Sequence, residues 1–169
     1  GSCIPDIAKK NSDFLKNKFL DTDGGKFQSS NSEIIDKFNS ITGICERRYA
    51  PDEINCSDLA AVAAGLAIND SKLDQETLDY IIVAHNTGDI SCSSGQVDTL
   101  PSVASKVKAK LKIKNPNCVA YDIICGCPGW VEGIIQAKSF IKSGMAEKCL
   151  VIGCDTLSRI LDENDRDSM

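Results

Sequence analysis

A basic surplus is absent from this sequence: Lys plus Arg is 19 against 24 for Asp plus Glu, a net charge of −5 at pH 7. Nucleic-acid binders carry clustered Lys and Arg in excess, so no nucleic-acid partner is expected. Long apolar runs are also missing. The stretches present are a few residues each, far short of the roughly 20 a spanning helix needs, and no secretory signal is read at the N-terminus. The expectation is a cytoplasmic protein with no membrane partner. Paired CxxC…CxxC spacing is lacking, which argues against a structural zinc site and leaves no metal expected. Histidine is scarce: His85 stands alone. Any chemistry that couples a cysteine to a histidine must use that residue or find its histidine elsewhere.

What is present is ordinary in bulk and unusual in one residue type. Apolar residues are 42% and charged residues 25%, values of a folded domain rather than of a disordered, collagenous or coiled-coil chain. At 169 residues the chain is one domain or one half of a larger enzyme, long enough to fold without disulfides or metal. Cysteine is abundant, and its count of nine is odd, so complete internal pairing is impossible. Cys118, Cys149 and Cys154 lie inside apolar runs, where reduced thiols behave as small hydrophobes.

Residues 1–31 carry few signals. Gly1-Ser2 is compatible with a cloning remnant or with a Gly-Ser-x-x-Pro loop running to Pro5, and Asp21–Gly25 reads as a surface turn. Ile34, Ile35 and Phe38 recur at helical spacing from Asn31, and Gly43 ends that helix. Ser57 is the expected N-cap of a second helix with Leu59, Val62, Ala63, Leu66 and Ala67 on one face. A strand follows over 78–84, then a polar loop over 86–99. Pro101 sits at a helix start, a second strand spans 118–124, a helix runs from Gly129 to Ser143, and a third strand covers 148–154. Strand–helix–strand–helix–strand with right-handed crossovers predicts an α/β fold with a largely parallel sheet.

The segment Asp122-Ile-Ile-Cys-Gly-Cys-Pro-Gly-Trp130 concentrates chemical signals. A strand ends, glycines and a proline turn the chain, and a helix begins. Ligands of open α/β sheets bind at such junctions. A thiol there faces helix N–H groups and the positive end of the helix dipole, which favour thiolate. Cys127, directly before Pro128, is the better placed of the two thiols for such a role. Cys125 is expected to be a packed thiol at the strand end. Packing alone remains a reading for either cysteine, and a Cys-x-Cys pair supplies only half of a metal site.

Several segments then recur in a recognisable order: Gly43-Ile-Cys-Glu-Arg-Arg48, Ser57-Asp-Leu-Ala60, Leu78-Asp-Tyr-Ile-Ile-Val-Ala84, Leu100-Pro-Ser-Val-Ala104, Tyr121-Asp-Ile-Ile-Cys-Gly-Cys-Pro-Gly129, Ser143-Gly144, Leu150-Val-Ile-Gly153, Ser158-Arg159 and Asp165-Arg166. From Pro5 to the end the chain resembles the N-terminal half of β-ketoacyl-acyl-carrier-protein synthase III, a thiolase-fold condensing enzyme. The resemblance implies an N-terminal thiolase-like αβα domain over 1–169, with the C-terminal half outside the chain. It also implies that Cys127 takes an acyl group from a thioester and that its backbone N–H contributes to an oxyanion hole. Malonyl-acyl carrier protein then loses carbon dioxide and attacks the acyl-cysteine. The family's catalytic His and Asn belong to the other half, so this chain alone is expected to be inactive. Acyl carrier protein and a second copy of the complete enzyme are the implied partners. Acyl-CoA or acyl-acyl carrier protein is the substrate, and no permanently bound cofactor is implied.

Departures from the family pattern concern substrate. Where the family has a Trp and an Arg clamping the coenzyme A nucleotide, Lys37 and Ile41 stand here, while Thr42 and Gly43 remain. Thr42 and Arg159 are the expected coenzyme-binding residues; an exposed or helix-capping role is the other reading of Arg159. Leu100, where the family often has a Phe reaching a neighbouring subunit's acyl pocket, and Trp130 are the expected substrate-pocket residues. His85 has no counterpart among the family's catalytic histidines and is expected on the surface or in a loop. Lys106, Lys108, Lys110 and Lys112 are expected to form a solvated face, on which an acidic carrier protein could dock. Alternatives to a fatty acid synthase role are another thiolase-fold acyltransferase, a secondary-metabolite condensing enzyme, or a non-catalytic partner subunit.

Overall fold

The computed structural model describes residues 1–168, and the chain divides into two compact units. The first comprises Gly1–Ile4 with Asp52–Thr156, the second Pro5–Pro51 with Leu157 onward.

The first unit is built on a parallel three-stranded sheet. Strand β3 (Tyr80–His85) lies between β6 (Val119–Ile124) and β7 (Cys149–Gly153), pairing in parallel with both. This is the expected largely parallel α/β architecture. All the residues of β3 from Ile81 to His85 are buried, because the central strand is covered on both faces. Alternation divides them. Ile81 and Val83 join Ala60, Ala64, Val103, Ala104, Val107 and Ile152 in one core. These come largely from helices α2 (Cys56–Ser71) and α3 (Val103–Lys110). Ile82 and Ala84 point to the opposite face, where α4 (Gly129–Lys142) lies. Gly133 permits that approach: a Cβ there would come within 2.7 Å of Val151 Cγ1. The loop 86–99 carries a short antiparallel ribbon of β4 (Asp89–Ile90) and β5 (Val97–Asp98).

Three sequence expectations about helices α2 and α3 change. Asn55, not Ser57, precedes α2, and its backbone N–H donates to Asp58 Oδ2 at 2.8 Å. Ser57 is already helical and buried, and both its N–H (2.7 Å) and its hydroxyl (2.8 Å) donate to the Asp89 carboxylate. The buried stripe of α2 is Cys56, Ala60 and Ala64, whereas Val62 and Leu66 are half exposed. Small side chains let the helix lie close to α3 and the sheet, so the bulkier residues face away. The lysines of α3 do not form a uniformly solvated face. Lys106 pairs with Asp89 at 3.1 Å and Asp98 at 2.7 Å, Lys108 donates to the carbonyls of Asn115 and Cys118, and Lys110 pairs with Asp58.

The second unit contains strands that the sequence hid. Here β1 (Ile7–Lys10) pairs antiparallel with β2 (Glu46–Tyr49), and both are short and largely polar. A short 3₁₀ turn (Asn11–Lys16) leads to helix α1 (Asn31–Thr42). Helix α1 matches its expected bounds: Ser30 caps it by accepting from the Glu33 N–H, and Gly43 ends it at φ 70°. Phe14, Phe19, Ile34 and Phe38 form its core, with Phe19 and Phe38 edge to face at 5.9 Å.

Candidate active site

Residues 125–128 connect the end of β6 to the start of α4. Gly126 adopts φ 53°, the left-handed conformation that glycine tolerates, and Gly129 donates its N–H back to the Gly126 carbonyl at 3.1 Å. The loop is therefore a closed turn. It presses closely on its surroundings: a Cβ on Gly129 would lie 3.1 Å from Ala84 Cβ, and one on Gly126 would lie 3.4 Å from Asn86 Oδ1. Pro128 occupies the cap position before α4, and Cys127 stands just outside the helix with its side chain exposed. The first N–H groups of any helix lack intrahelical acceptors, so a thiol here has donors for a developing negative charge nearby.

Cys125 departs from expectation. It is exposed rather than packed, because β6 is an edge strand that ends at Ile124, itself 73% exposed. Trp130 is half exposed in the first turn of α4. Gly153, at the end of β7, makes room for its Cβ and ring, since a side chain there would approach within 3.2 Å. Leu100 is 81% exposed at the foot of the loop before α3.

His85 is not a surface residue. It ends β3 at 5% exposure, and its Nε2 lies 3.0 Å from Asp122 Oδ2 on the neighbouring β6. Its Nδ1 is buried without a hydrogen-bond partner. Asp122 also accepts from the backbone N–H of Val103 (2.7 Å) and Ala104 (2.8 Å), in the first turn of α3. Burial alone raises the pKa of Asp122, but the hydrogen bonds from His85, Ala104 and Val103 outweigh it and hold the carboxyl below the usual aspartate range. This cluster ties β3, β6 and α3 together.

A second polar cluster adjoins the Cys127 turn, and sequence reading missed it. The Asp155 carboxylate accepts from the Asn86 backbone N–H at 2.9 Å and from its side-chain amide at 2.6 Å. The amide oxygen of Asn86 is thereby aimed at Gly126. Asn86 directly follows β3 and Asp155 lies two residues beyond β7, at strand ends where α/β sheets collect functional groups, and that was the available signal.

Thr42 and Arg159, expected at a coenzyme site, both fall in the second unit. Thr42 ends α1, where its hydroxyl donates to the Phe38 carbonyl and accepts from the Ile44 N–H at 3.1 Å. Arg159 is partly buried and donates to the Pro51 carbonyl at 2.8 Å. Lys37 and Ile41 are exposed on α1. No group of three or more His, Cys, Asp or Glu suited to hold a metal occurs among the described residues, nor is any described helix long and apolar enough to cross a membrane.

Comparison with known proteins agrees with the motifs. Residues 121–169 match the family model of 3-oxoacyl-[acyl-carrier-protein] synthase III. β-Ketoacyl-[acyl-carrier-protein] synthase III of Neisseria gonorrhoeae (strain NCCP11945) is 44% identical over 125 residues, which is 74% of this chain and 36% of that protein. Synthase III 1 of Vibrio parahaemolyticus is 36% identical over 169 residues, all of this chain and 46% of that protein. The crystal structure of 3-oxoacyl-[acyl-carrier-protein] synthase III from Aquifex aeolicus VF5 superposes with a TM-score of 0.76 at 33% identity, covering 99% of this chain and 46% of that one. By sequence and by fold the chain resembles synthase III enzymes, and it spans less than half the length of these relatives.

Proposed function

We propose that this chain is the nucleophile-bearing part of a β-ketoacyl-acyl-carrier-protein synthase III, an acyltransferase that begins fatty acid synthesis. One observation carries the reading. Cys127 is an exposed thiol in a closed Gly-Cys-Pro-Gly turn between a parallel strand and a helix, within a chain that resembles those enzymes throughout.

In the reaction, Cys127 sulfur attacks the carbonyl carbon of an acyl thioester. Backbone N–H groups at the turn, that of Cys127 among them, stabilise the oxyanion as it forms. The intermediate collapses, the donor thiol leaves, and an S-acyl cysteine remains. Malonyl-acyl carrier protein then loses carbon dioxide, and the resulting carbanion attacks the S-acyl carbon. The products are β-ketoacyl-acyl carrier protein and the regenerated thiol. The His and Asn that stabilise the carbanion in such enzymes are assigned to the part of the relatives that this chain does not span. Trp130 and Leu100 are assigned to the acyl pocket, and Thr42 with Arg159 to the coenzyme or carrier-protein entrance. The absence of a stacking aromatic and a guanidinium at Lys37 and Ile41 favours an acyl-carrier-protein donor over coenzyme A. The complete enzyme is assigned as a cytoplasmic homodimer.

Intact-mass analysis after incubation with acyl-CoA and acyl-acyl-carrier-protein donors tests this. Acyl addition to the wild type and none to Cys127→Ala is the expected result. An acylated Cys127→Ala chain removes the nucleophile assignment. No labelling of the wild type by any donor favours a non-catalytic partner subunit. Ketoacyl product formed by the 169-residue chain alone contradicts the assignment of His and Asn elsewhere.

A further inference from the structure

Outside the Cys127 turn, a second pair of thiols meets in the interior of the first unit. Cys56 opens α2 and is fully buried, while Cys154 follows β7 and is partly exposed. Their sulfurs lie 3.0 Å apart although 98 positions separate them in sequence. A disulfide needs an S–S distance of about 2.05 Å, so bond formation asks the two sulfurs to close by roughly 1 Å. Both cysteines are held in place. The next N–H in α2, that of Ser57, is bound by Asp89, and the Cys154 N–H donates to the Ala84 carbonyl at 3.0 Å.

We propose that Cys56 and Cys154 form a peroxide-oxidisable dithiol, with Cys154 the attacked thiol and Cys56 the resolving one. Exposure assigns the roles, because only Cys154 is open to a small oxidant. Its sulfur attacks a hydroperoxide oxygen, the O–O bond breaks, and an alcohol or water leaves with the thiol proton. Cys154 is then a sulfenic acid. Cys56 sulfur displaces that hydroxyl, which departs as water with the Cys56 proton, and the disulfide remains. Two thiols are oxidised by two electrons and one peroxide is reduced. The contact with Cys154, burial, and the carboxylates of Asp155 and Asp89 raise the Cys56 pKa, so Cys56 is not the thiol that meets oxidant first.

The location gives the bond a target. Asp155, next to Cys154, grips Asn86, whose amide faces the Gly126 side of the nucleophile turn. Covalent linkage of α2 to this segment would therefore tie the support of Cys127 to the redox state of the surroundings.

The test is a disulfide map of the full chain, treated with hydrogen peroxide, quenched with iodoacetamide and digested with trypsin without reduction. Peptide 49–72 joined to 149–159, with fragmentation placing the bridge on Cys154 rather than Cys149, is the expected product, and a dithiol reductant should release it. Cys56→Ser should lose the bridge and let dimedone trap a sulfenic acid on Cys154. Carbamidomethylated Cys56 and Cys154 after peroxide and unfolding would overturn the proposal. So would Cys154 bridged to another cysteine, or driven to sulfinic acid beside a free Cys56. The wild-type map decides the question even if a variant fails to fold, and it does not depend on the acylation of Cys127.

Discussion

Strand β6 has a cysteine just before it and two just after it, and the two ends differ in exposure and packing. Cys118 is 3% exposed, packed in the core with Val107 and Ile113, and burial pushes its pKa up. Cys125 and Cys127 are exposed, in and beside a turn shaped by glycines. The same residue type is a small hydrophobe at the start of a parallel strand and a chemical group at its end. The difference follows from sheet direction. Strand C-termini and helix N-termini gather on one edge, where backbone donors accumulate and loops open to solvent.

The sharpest test of that contrast is alkylation of the native chain. Iodoacetamide should modify Cys127 and Cys125 in the folded protein, while Cys118 should react only on opening of the core, as peptide mapping against time can show. Equal rates would abolish the distinction. Next in size is Gly133→Val, which forces a branched side chain where even a Cβ meets Val151 at 2.7 Å. Lifting α4 should cost about 1–3 kcal/mol in denaturant unfolding and slow Cys127 alkylation as the turn loses its seat, with unchanged stability the contrary result. A smaller effect is expected from Asp122→Asn, about 1–2 kcal/mol, because the amide cannot accept from His85 and two N–H groups as the carboxylate does. The folded pKa of Asp122 is depressed, so its contribution is present above the ordinary aspartate value near 3.8 and is lost as pH falls through the folded value. Wild-type stability should therefore show an acid limb below about pH 4 that Asp122→Asn weakens. An identical limb in both proteins would remove Asp122 as its source.

Legibility in the sequence followed how local the physics was. Helix α1 and its Gly43 end were readable from a helical apolar period and a terminating glycine, both of which act within a few residues. The three parallel strands were readable from short β-branched runs. Strands β1 and β2 were not, because a short polar ribbon has no apolar alternation to betray it. The buried face of α2 was misread because close packing selected Ala60 and Ala64 over the larger Val62 and Leu66. His85 reads as a surface or loop residue because its partner, Asp122, stands 37 positions away.

The sequence by itself determined the order of the main helices and the three parallel strands, the Cys127 turn and the resemblance to condensing enzymes. Each of these is written in consecutive residues or in motifs whose order survives without coordinates. Only the tertiary structure decided which thiols are exposed, that Asp155 holds Asn86 against the turn, that Asp122 secures His85, and that Cys56 meets Cys154 at 3.0 Å. Those facts join residues far apart in the chain, and such contacts depend on how helices and strands pack, which no local pattern records.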